Sequence, residues 1–289
     1  MLPPALFQAP LGAWSSFEPM VRIGPRLIEG IDYAAFAATG GWNSVTAVQS
    51  APASWDPEYA PKLAFTNFKD LELDFHTAGP VALDVLAIGA KHGSVTTGGG
   101  DDHVVWDAHS DMGGTSANTM VIATGAGDDT ILVTSMGHSS FDAGLDAGDL
   151  RDGPYDGRFS FAAVTAGGGN DTITAQGLTS LRANGGAGTD LIHGAGGQDT
   201  IIGSRGDDLL SGGGEADSFV FRPGDGHDTI ADFMPGVDRL AFHGISAAEV
   251  STQAVVIDGN TGLLVTYGTA GDTVFLAGVL HLLASDLVF

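Results

Sequence analysis

The segment from Gly185 to Val220 consists of four consecutive nonapeptides in one unbroken register: GGAGTDLIH, GAGGQDTII, GSRGDDLLS and GGGEADSFV. Glycine comes first in each, aspartate sixth and a large apolar residue eighth. Six residues rich in glycine and aspartate favour a turn, and three residues with a central apolar side chain favour a short strand. Two such units complete one coil of a flattened solenoid. Its narrow core would be filled by the eighth-position side chains of Ile192, Ile201, Leu210 and Phe219.

Weaker copies of the repeat occur upstream. GPVALDVLA, TGGGDDHVV and TGAGDDTIL begin at positions separated by multiples of nine, and AGGGNDTIT follows before the register slips by one residue ahead of Gly185. The eighth positions of these copies are Leu86, Val104, Ile131 and Ile173. Their sixth positions are Asp84, Asp102, Asp129 and Asp171, and Asp111 keeps the same place in a degenerate copy.

Residues eighteen apart lie one above the other in such a solenoid, so the aspartates are expected to stack. Stacked carboxylates repel one another unless a cation lies between them, and glycine carbonyl oxygens turn toward the same point. Hard oxygen ligands in six-fold or higher number favour calcium. The alternative is an all-β protein whose glycine-aspartate turns bind no metal, but four copies in one register favour calcium. The expected stacked pairs are Asp190 with Asp208, Asp199 with Asp217, Asp84 with Asp102, and Asp111 with Asp129.

The composition restricts the possible partners. Acidic residues number 35 against 11 basic ones, and the formal net charge is −24. A charge this negative excludes binding to nucleic acid or to an anionic membrane through a basic patch. No cysteine is present, so thiolate metal sites and disulfides are absent. No apolar run reaches the roughly 18 residues that span a bilayer, so no transmembrane segment is predicted.

The repeat resembles the RTX, or haemolysin-type, calcium-binding nonapeptide, in which aspartate is sixth and an apolar residue eighth. The resemblance implies an all-β, right-handed parallel β-roll that binds several calcium ions between successive turns. It also implies that the glycine-rich turns supply backbone carbonyl ligands, at Gly185, Gly188, Gly194, Gly197, Gly203, Gly206 and Gly212. The implied side-chain ligands are the sixth-position aspartates, with Asp228 in the following segment: Asp84, Asp102, Asp111, Asp129, Asp171, Asp190, Asp199, Asp208, Asp217 and Asp228.

Three parts of the chain are predicted. Residues 1–69 form an N-terminal cap or interaction segment that holds Trp14, Trp42 and Trp55, and residues 70–221 form the β-roll, with an insertion near 141–158. Residues 222–289 are predicted to form a C-terminal cap and type I secretion signal region, in which PGDGHDTIADFMPGVDRLAF resembles the capping segment that follows RTX repeats and strands and hairpins are expected after residue 250. The ending Asp286-Leu287-Val288-Phe289 resembles the uncleaved signal of type I secretion substrates. The alternative for this ending is an ordinary final strand.

The sequence offers little for catalysis. The zinc-protease motif HExxH and the Gly-x-Ser-x-Gly elbow are absent, and no histidine precedes His76. We therefore expect a protein that is not an enzyme. It is expected to be secreted by the type I machinery of a Gram-negative bacterium, because no basic residue of a general secretory signal precedes Arg22.

Two roles outside the cell are open. The first is calcium-dependent self-assembly at the cell surface or in an extracellular matrix, as a surface layer or filament. The second is that of a polysaccharide-binding or carbohydrate-active protein, in which Trp14, Trp42 and Trp55 contact the cell-surface polysaccharide.

Overall fold

The computed structural model describes residues 14–16, 20–28, 31–38, 43–50, 62–66, 68–76, 83–88, 92–107, 118–134, 160–177 and 180–289. In this part of the chain the secondary structure is 24 strands and two short 3₁₀ helices, Ala247–Glu249 and Ala284–Asp286, with no α-helix. The predicted insertion near 141–158, together with Asp111, lies outside the described residues.

The strands form two sheets. Sheet A contains, in spatial order, β1 (Trp14–Ser16), β4 (Asn43–Ser50), β6 (Phe68–His76), β8 (His92–Thr96), β10 (Asn118–Ala126), β12 (Ser160–Gly168), β14 (Ser180–Ala187), β16 (Thr200–Arg205), β18 (Ser218–Phe221), β20 (Arg239–Phe242) and β24 (Leu287–Val288). Sheet B contains β2 (Met20–Ile28), β3 (Ile31–Ala38), β5 (Lys62–Thr66), β7 (Asp84–Ile88), β9 (His103–Asp107), β11 (Thr130–Thr134), β13 (Thr172–Gln176), β15 (Leu191–His193), β17 (Leu209–Ser211), β19 (His227–Ile230), β23 (Asp272–Ala277), β22 (Asn260–Tyr267) and β21 (Ser251–Ile257).

From β4 to β20 the chain alternates between the sheets, and each strand pairs in parallel with the strand one coil away. Within the strict repeats the paired residues are eighteen apart, as in Leu191 with Leu209 and Thr200 with Ser218. Two nonapeptides therefore make one coil. The prediction of an all-β parallel β-roll is confirmed.

The core lies between the two sheets. The eighth-position residues Ile192, Ile201, Leu210 and Phe219 are fully buried, as are Val104, Ile131 and Ile173 in the upstream copies. Trp106, Leu73 and Met120 are among the largest fully buried side chains and lie in the upstream coils. Strands of three to nine residues each contribute only one or a few inward side chains, so the stability of the roll depends on stacking many coils.

Antiparallel strands occur at both ends of the roll. β2 pairs with β3 at one end, and the hairpins β21–β22 and β22–β23 lie at the other. The turn between β21 and β22 has positive φ angles at Asp258 (52°) and Gly259 (82°), a conformation typical of two-residue hairpin turns. The hairpins predicted after residue 250 are thus confirmed. Leu287 and Val288, which form β24, pair in parallel with β20.

The sheets continue across the predicted boundary between residues 69 and 70. β6 spans that boundary, and upstream of it β3 pairs in parallel with β5 and β4 with β6. The first part of the chain thus supplies strands to both sheets of the roll. Of the three tryptophans assigned to this part, Trp42 and Trp55 lie outside the described residues.

Candidate calcium centre

One edge of the roll carries a continuous line of buried aspartates, which we call the long row. Each member lies immediately before a strand of sheet B or, for Asp228, second in one, and from the second member on its Oδ1 accepts the backbone N–H of the previous member at 2.7–3.0 Å. The first carboxylate accepts the N–H of Leu83 at 2.8 Å. The long row consists of Asp102, Asp129, Asp171, Asp190, Asp208 and Asp228.

The second oxygen of these carboxylates is left without a partner. Oδ2 of Asp102, Asp129, Asp171, Asp190 and Asp208 is buried and accepts no hydrogen bond. An asparagine side chain could accept the same ladder hydrogen bond through its own oxygen, so the ladder alone does not require a charge. A buried carboxylate oxygen without a partner is costly unless a cation occupies the space beside it.

The pKa values of the long row reflect this burial. Burial, together with the neighbouring carboxylates of Asp208 and Asp171, raises the pKa of Asp190 to about 7. Burial likewise raises the pKa of Asp102 to about 7 and that of Asp171 to about 6. The charged forms that a cation would bind are therefore disfavoured when no cation is present.

A short row of aspartates occupies the opposite edge, ahead of the strands of sheet A. Oδ1 of Asp217 accepts the N–H of Asp199 at 2.9 Å, and Oδ1 of Asp238 accepts that of Asp217 at 3.0 Å. Oδ2 of Asp217 is unpartnered. In contrast, Oδ2 of Asp199 accepts the N–H of Ala195 at 3.0 Å, and Oδ2 of Asp238 accepts that of Met234 at 2.7 Å.

The glycines at the first position make room for the folded-back carboxylates. A Cβ at Gly203 would overlap Oδ2 of Asp208, and a Cβ at Gly185 or Gly212 would overlap the aspartate of its own nonapeptide in the same way. Gly194 holds the equivalent place beside Asp199. Only glycine allows the carboxylate to lie over the start of its own turn.

The glycines at the fourth position bring the turns of neighbouring coils into backbone contact. Gly188 and Gly206 have positive φ angles of 136° and 149°, and a Cβ at Gly206 would overlap the carbonyl oxygen of Gly188. Gly197 holds the fourth position on the other edge and is buried. Carbonyl oxygens of successive turns therefore stack beside the carboxylates.

The donor set suits calcium. Among the described residues no three acidic or histidine side chains group together as a metal site, so an ion between two aspartates would take its remaining ligands from backbone carbonyls. Calcium accepts six to eight oxygen ligands with flexible geometry. The unpartnered Oδ2 atoms and the stacked carbonyls thus fit calcium ions held between successive turns.

Two of the predicted stacked pairs are correct, and two are wrong. Asp190 lies with Asp208, and Asp199 with Asp217. Asp84 pairs with His103 rather than stacking on Asp102, because Leu83 holds the place in the row. Val85 and Ala87 of that strand are buried in the core, and the side chain of Leu86, the predicted core residue, lies outside the described part of the chain.

The expected neighbour of Asp129 is wrong as well. Asp129 accepts the N–H of Asp102, 27 residues earlier, and donates its own N–H to Asp171, 42 residues later. The two neighbours of Asp129 in the row are thus Asp102 and Asp171, and Asp111 lies outside the described residues. The coils in this region contain more than two nonapeptides' worth of chain, and counting in steps of nine therefore failed.

A second, exposed ladder was missed by the sequence analysis. Oδ1 of Asp101 accepts the N–H of Asp128 at 3.0 Å, and Oδ1 of Asp128 accepts that of Asn170 at 2.7 Å. Oδ1 of Asn170 in turn accepts the N–H of Thr189 at 2.8 Å. The repeated pairs Asp-Asp and Asn-Asp at positions five and six were the available signal.

A family model of the RTX calcium-binding nonapeptide repeat matches four copies, over residues 164–177 and 184–219. The chain carries RTX repeats. RTX repeats bind calcium ions, and the presence of several copies implies several ions. A comparison with curated proteins found no match.

The segments matched by the family model contain Asp171, Asp190 and Asp208 of the long row and Asp199 and Asp217 of the short row. The long row extends beyond them on both sides, to Asp102 upstream and to Asp228 downstream. Proteins with RTX repeats are typically secreted. In the described part of this chain, no helix has the length and apolar character needed to cross a membrane.

Proposed function

We propose that this protein is a secreted, non-catalytic calcium-binding protein that folds on calcium outside a Gram-negative cell and then self-assembles at the cell surface or in the extracellular matrix. The observation that carries the proposal is the line of buried, unpartnered carboxylate oxygens in the long row. Such a row is unfavourable without cations, so site formation and folding are one process.

Calcium-dependent folding suits export through a type I channel. In the calcium-poor cytosol the net charge of −24 and the unpaired carboxylates keep the chain expanded. At the roughly millimolar calcium that extracellular modules bind, the ions neutralise the rows and the roll forms. Folding is thereby delayed until the chain has left the cell.

Self-assembly is supported by an open sheet edge. β21 is the outermost strand of sheet B, and its residues are almost all exposed, including Val256 at 66%. Unpaired edge strands pair readily with other chains. Calcium also removes much of the charge that keeps copies of the chain apart.

Light scattering and negative-stain microscopy with and without millimolar calcium test assembly. We expect calcium to convert monomers into ordered polymers or sheets, and Val256→Lys to prevent this by placing a charge on the open edge. Thr261→Lys is the matched control. Thr261 is also exposed and pairs with Val256, but it lies on β22, which is covered on that side by the edge strand β21. A calcium-saturated wild-type chain that stays monomeric and is retained on a polysaccharide column would replace assembly by polysaccharide binding.

Export can be tested separately. Deletion of residues 230–289 should abolish secretion by a type I system, whereas Asp190→Asn in the full chain should leave it intact. Export of the truncated chain would place the signal elsewhere.

A further inference from the structure

The long row ends abruptly at its last coil. β19 pairs with β23 so that Asp228 lies beside Val274, and the next position in the row is therefore apolar. Asp228 is buried, and burial raises its pKa to about 8. In the preceding coils each aspartate of the long row is followed by another one coil further on. An ion beside Asp228 would lack this second carboxylate.

The C-terminal hairpin brings a carboxylate to the same place from another position. Thr273 donates its N–H to the carbonyl of Gly226 at 2.9 Å, which sets the preceding residue, Asp272, against the turn that leads to Asp228. Asp272 is 7% exposed, and its Oδ2 accepts the N–H of Gly224 at 2.8 Å. The buried carboxylate of Asp272 is therefore held against this turn, where the long row itself supplies no further aspartate.

Tyr267 completes this group. It lies opposite Asp272 in the antiparallel pair β22–β23 and is fully buried, with its ring 5.5 Å from that of Phe221 and 5.3 Å from that of Phe242. Its hydroxyl has no hydrogen-bond partner. A buried hydroxyl without a partner is costly, so its position calls for a ligand.

Directly opposite residues of an antiparallel pair carry their side chains on the same face of the sheet, so the side chains of Tyr267 and Asp272 share one face. Burial raises the pKa of Tyr267, and the carboxylates that raise it further are, in order, those of Asp228, Asp225, Asp272 and Asp208. Asp225 is itself buried, and its Oδ2 accepts the N–H of Arg222 at 2.7 Å. Tyr267 thus lies near the buried carboxylates of the last turn and the hairpin.

We propose that a further calcium ion closes the roll at this point, bound by the carboxylates of Asp228 and Asp272 and by the hydroxyl oxygen of Tyr267. The proposal rests on calcium binding by the repeats and adds a site beyond residue 219, where the family match ends. The neutral phenol supplies an oxygen ligand without adding charge. The ion would join the β21–β23 hairpin to the last coil, so that calcium also orders the C-terminal cap.

Terbium is a suitable probe, because it occupies calcium sites and emits when a nearby tyrosine is excited. We expect Tyr267→Phe to remove most of the tyrosine-sensitised terbium emission. Tyr33→Phe is the matched control, since Tyr33 lies in β3, near the opposite end of sheet B. Calcium titration of Tyr267→Phe and Asp272→Asn should show one ion lost or weakened by at least about tenfold.

Tyr267→Phe also has an expected effect in chelator. Because it removes an unpartnered hydroxyl, the metal-free chain should be no less stable than the wild type, so a loss of calcium binding would not reflect misfolding. Unchanged terbium emission and calcium binding in Tyr267→Phe, with normal binding by the repeats, would overturn this site alone. A wild-type chain that binds no calcium would overturn the proposed function.

Discussion

Replacement of Asp190 by asparagine should have opposite effects on the metal-free and the calcium-loaded protein. Asparagine keeps the oxygen that accepts the N–H of Asp171 at 2.9 Å but removes the charge beside the unpartnered Oδ2. The metal-free chain should therefore become more stable, while the calcium-loaded chain loses a ligand. A purely structural aspartate would give no such reversal.

The size of the effect follows from the pKa of Asp190, which burial raises from 3.8 to about 7. Ionising this group in the folded, metal-free protein costs about 4 kcal/mol, which partial solvent screening reduces to about 2 kcal/mol. Because the pKa of Asp190 is higher in the folded than in the unfolded chain, the stability that protonated Asp190 contributes is present near pH 4 and is lost as the pH rises through 7. Asp190→Asn should thus stabilise the metal-free chain by about 2 kcal/mol near pH 8 and by almost nothing near pH 4.

The assay is unfolding in millimolar calcium and, in chelator, an osmolyte titration that measures how readily the metal-free chain folds. Asp199→Asn is the control, because both oxygens of Asp199 already accept backbone N–H groups, from Leu181 and Ala195. Its effect on calcium binding should be clearly smaller. Equal losses of calcium binding in the two variants, or a destabilised metal-free Asp190→Asn, would refute the reasoning.

Three further predictions concern the turns and the rows. Gly203→Ala should lower the stability measured by thermal unfolding with calcium by roughly 1–3 kcal/mol, because the added Cβ overlaps the Asp208 carboxylate. A Cβ at Gly196 meets no atom within 4 Å, so Gly196→Ala should change stability by less than about 0.5 kcal/mol. Similar values for both variants would contradict the packing argument. Calcium affinity measured by isothermal titration should fall as the pH drops from 8 to 5. Protons then compete with calcium for carboxylates such as that of Asp102, whose pKa burial raises to about 7. A calcium affinity that does not change with pH would mean that the long row does not bind the ion. Glu215→Gly should stabilise the protein by about 1 kcal/mol in thermal unfolding, because Glu215 has a φ of 73°, a left-handed conformation that favours glycine. An unchanged melting temperature would show that this backbone is unstrained.

The strict repeats predicted their own structure well. From Gly185 to Val220 every coil has the same length, so a residue's place in the nonapeptide determines both its burial and its partner. Asp190 and Asp208 are linked as expected, and the eighth-position residues Ile192 and Leu210 are in the core. In this segment local propensity, hydrophobic pattern and turn chemistry agree, which is the condition under which sequence specifies structure.

Upstream the same reasoning failed where it depended on counting. A parallel coil requires only that the chain returns to the same edge in register, and longer connections cost little additional entropy. The steps from Asp102 to Asp129 and from there to Asp171 are 27 and 42 residues. Direct alignment of the motifs TGGGDD, TGAGDD and AGGGND with one another would have found this row without any assumed period.

The unequal length of the two rows has a chemical reason that the degenerate copies already contain. On the edge of the short row, the upstream positions that correspond to Asp199 are Leu181, Ala162 and Met120, which are all buried. An apolar side chain at this position fills the edge of the core and needs no cation. The upstream coils thus have buried carboxylates on one edge and hydrophobic packing on the other, whereas the strict repeats have carboxylates at both. Loss of the aspartate in a degenerate copy therefore marks a change in how that edge is held together, and the β-roll continues through it.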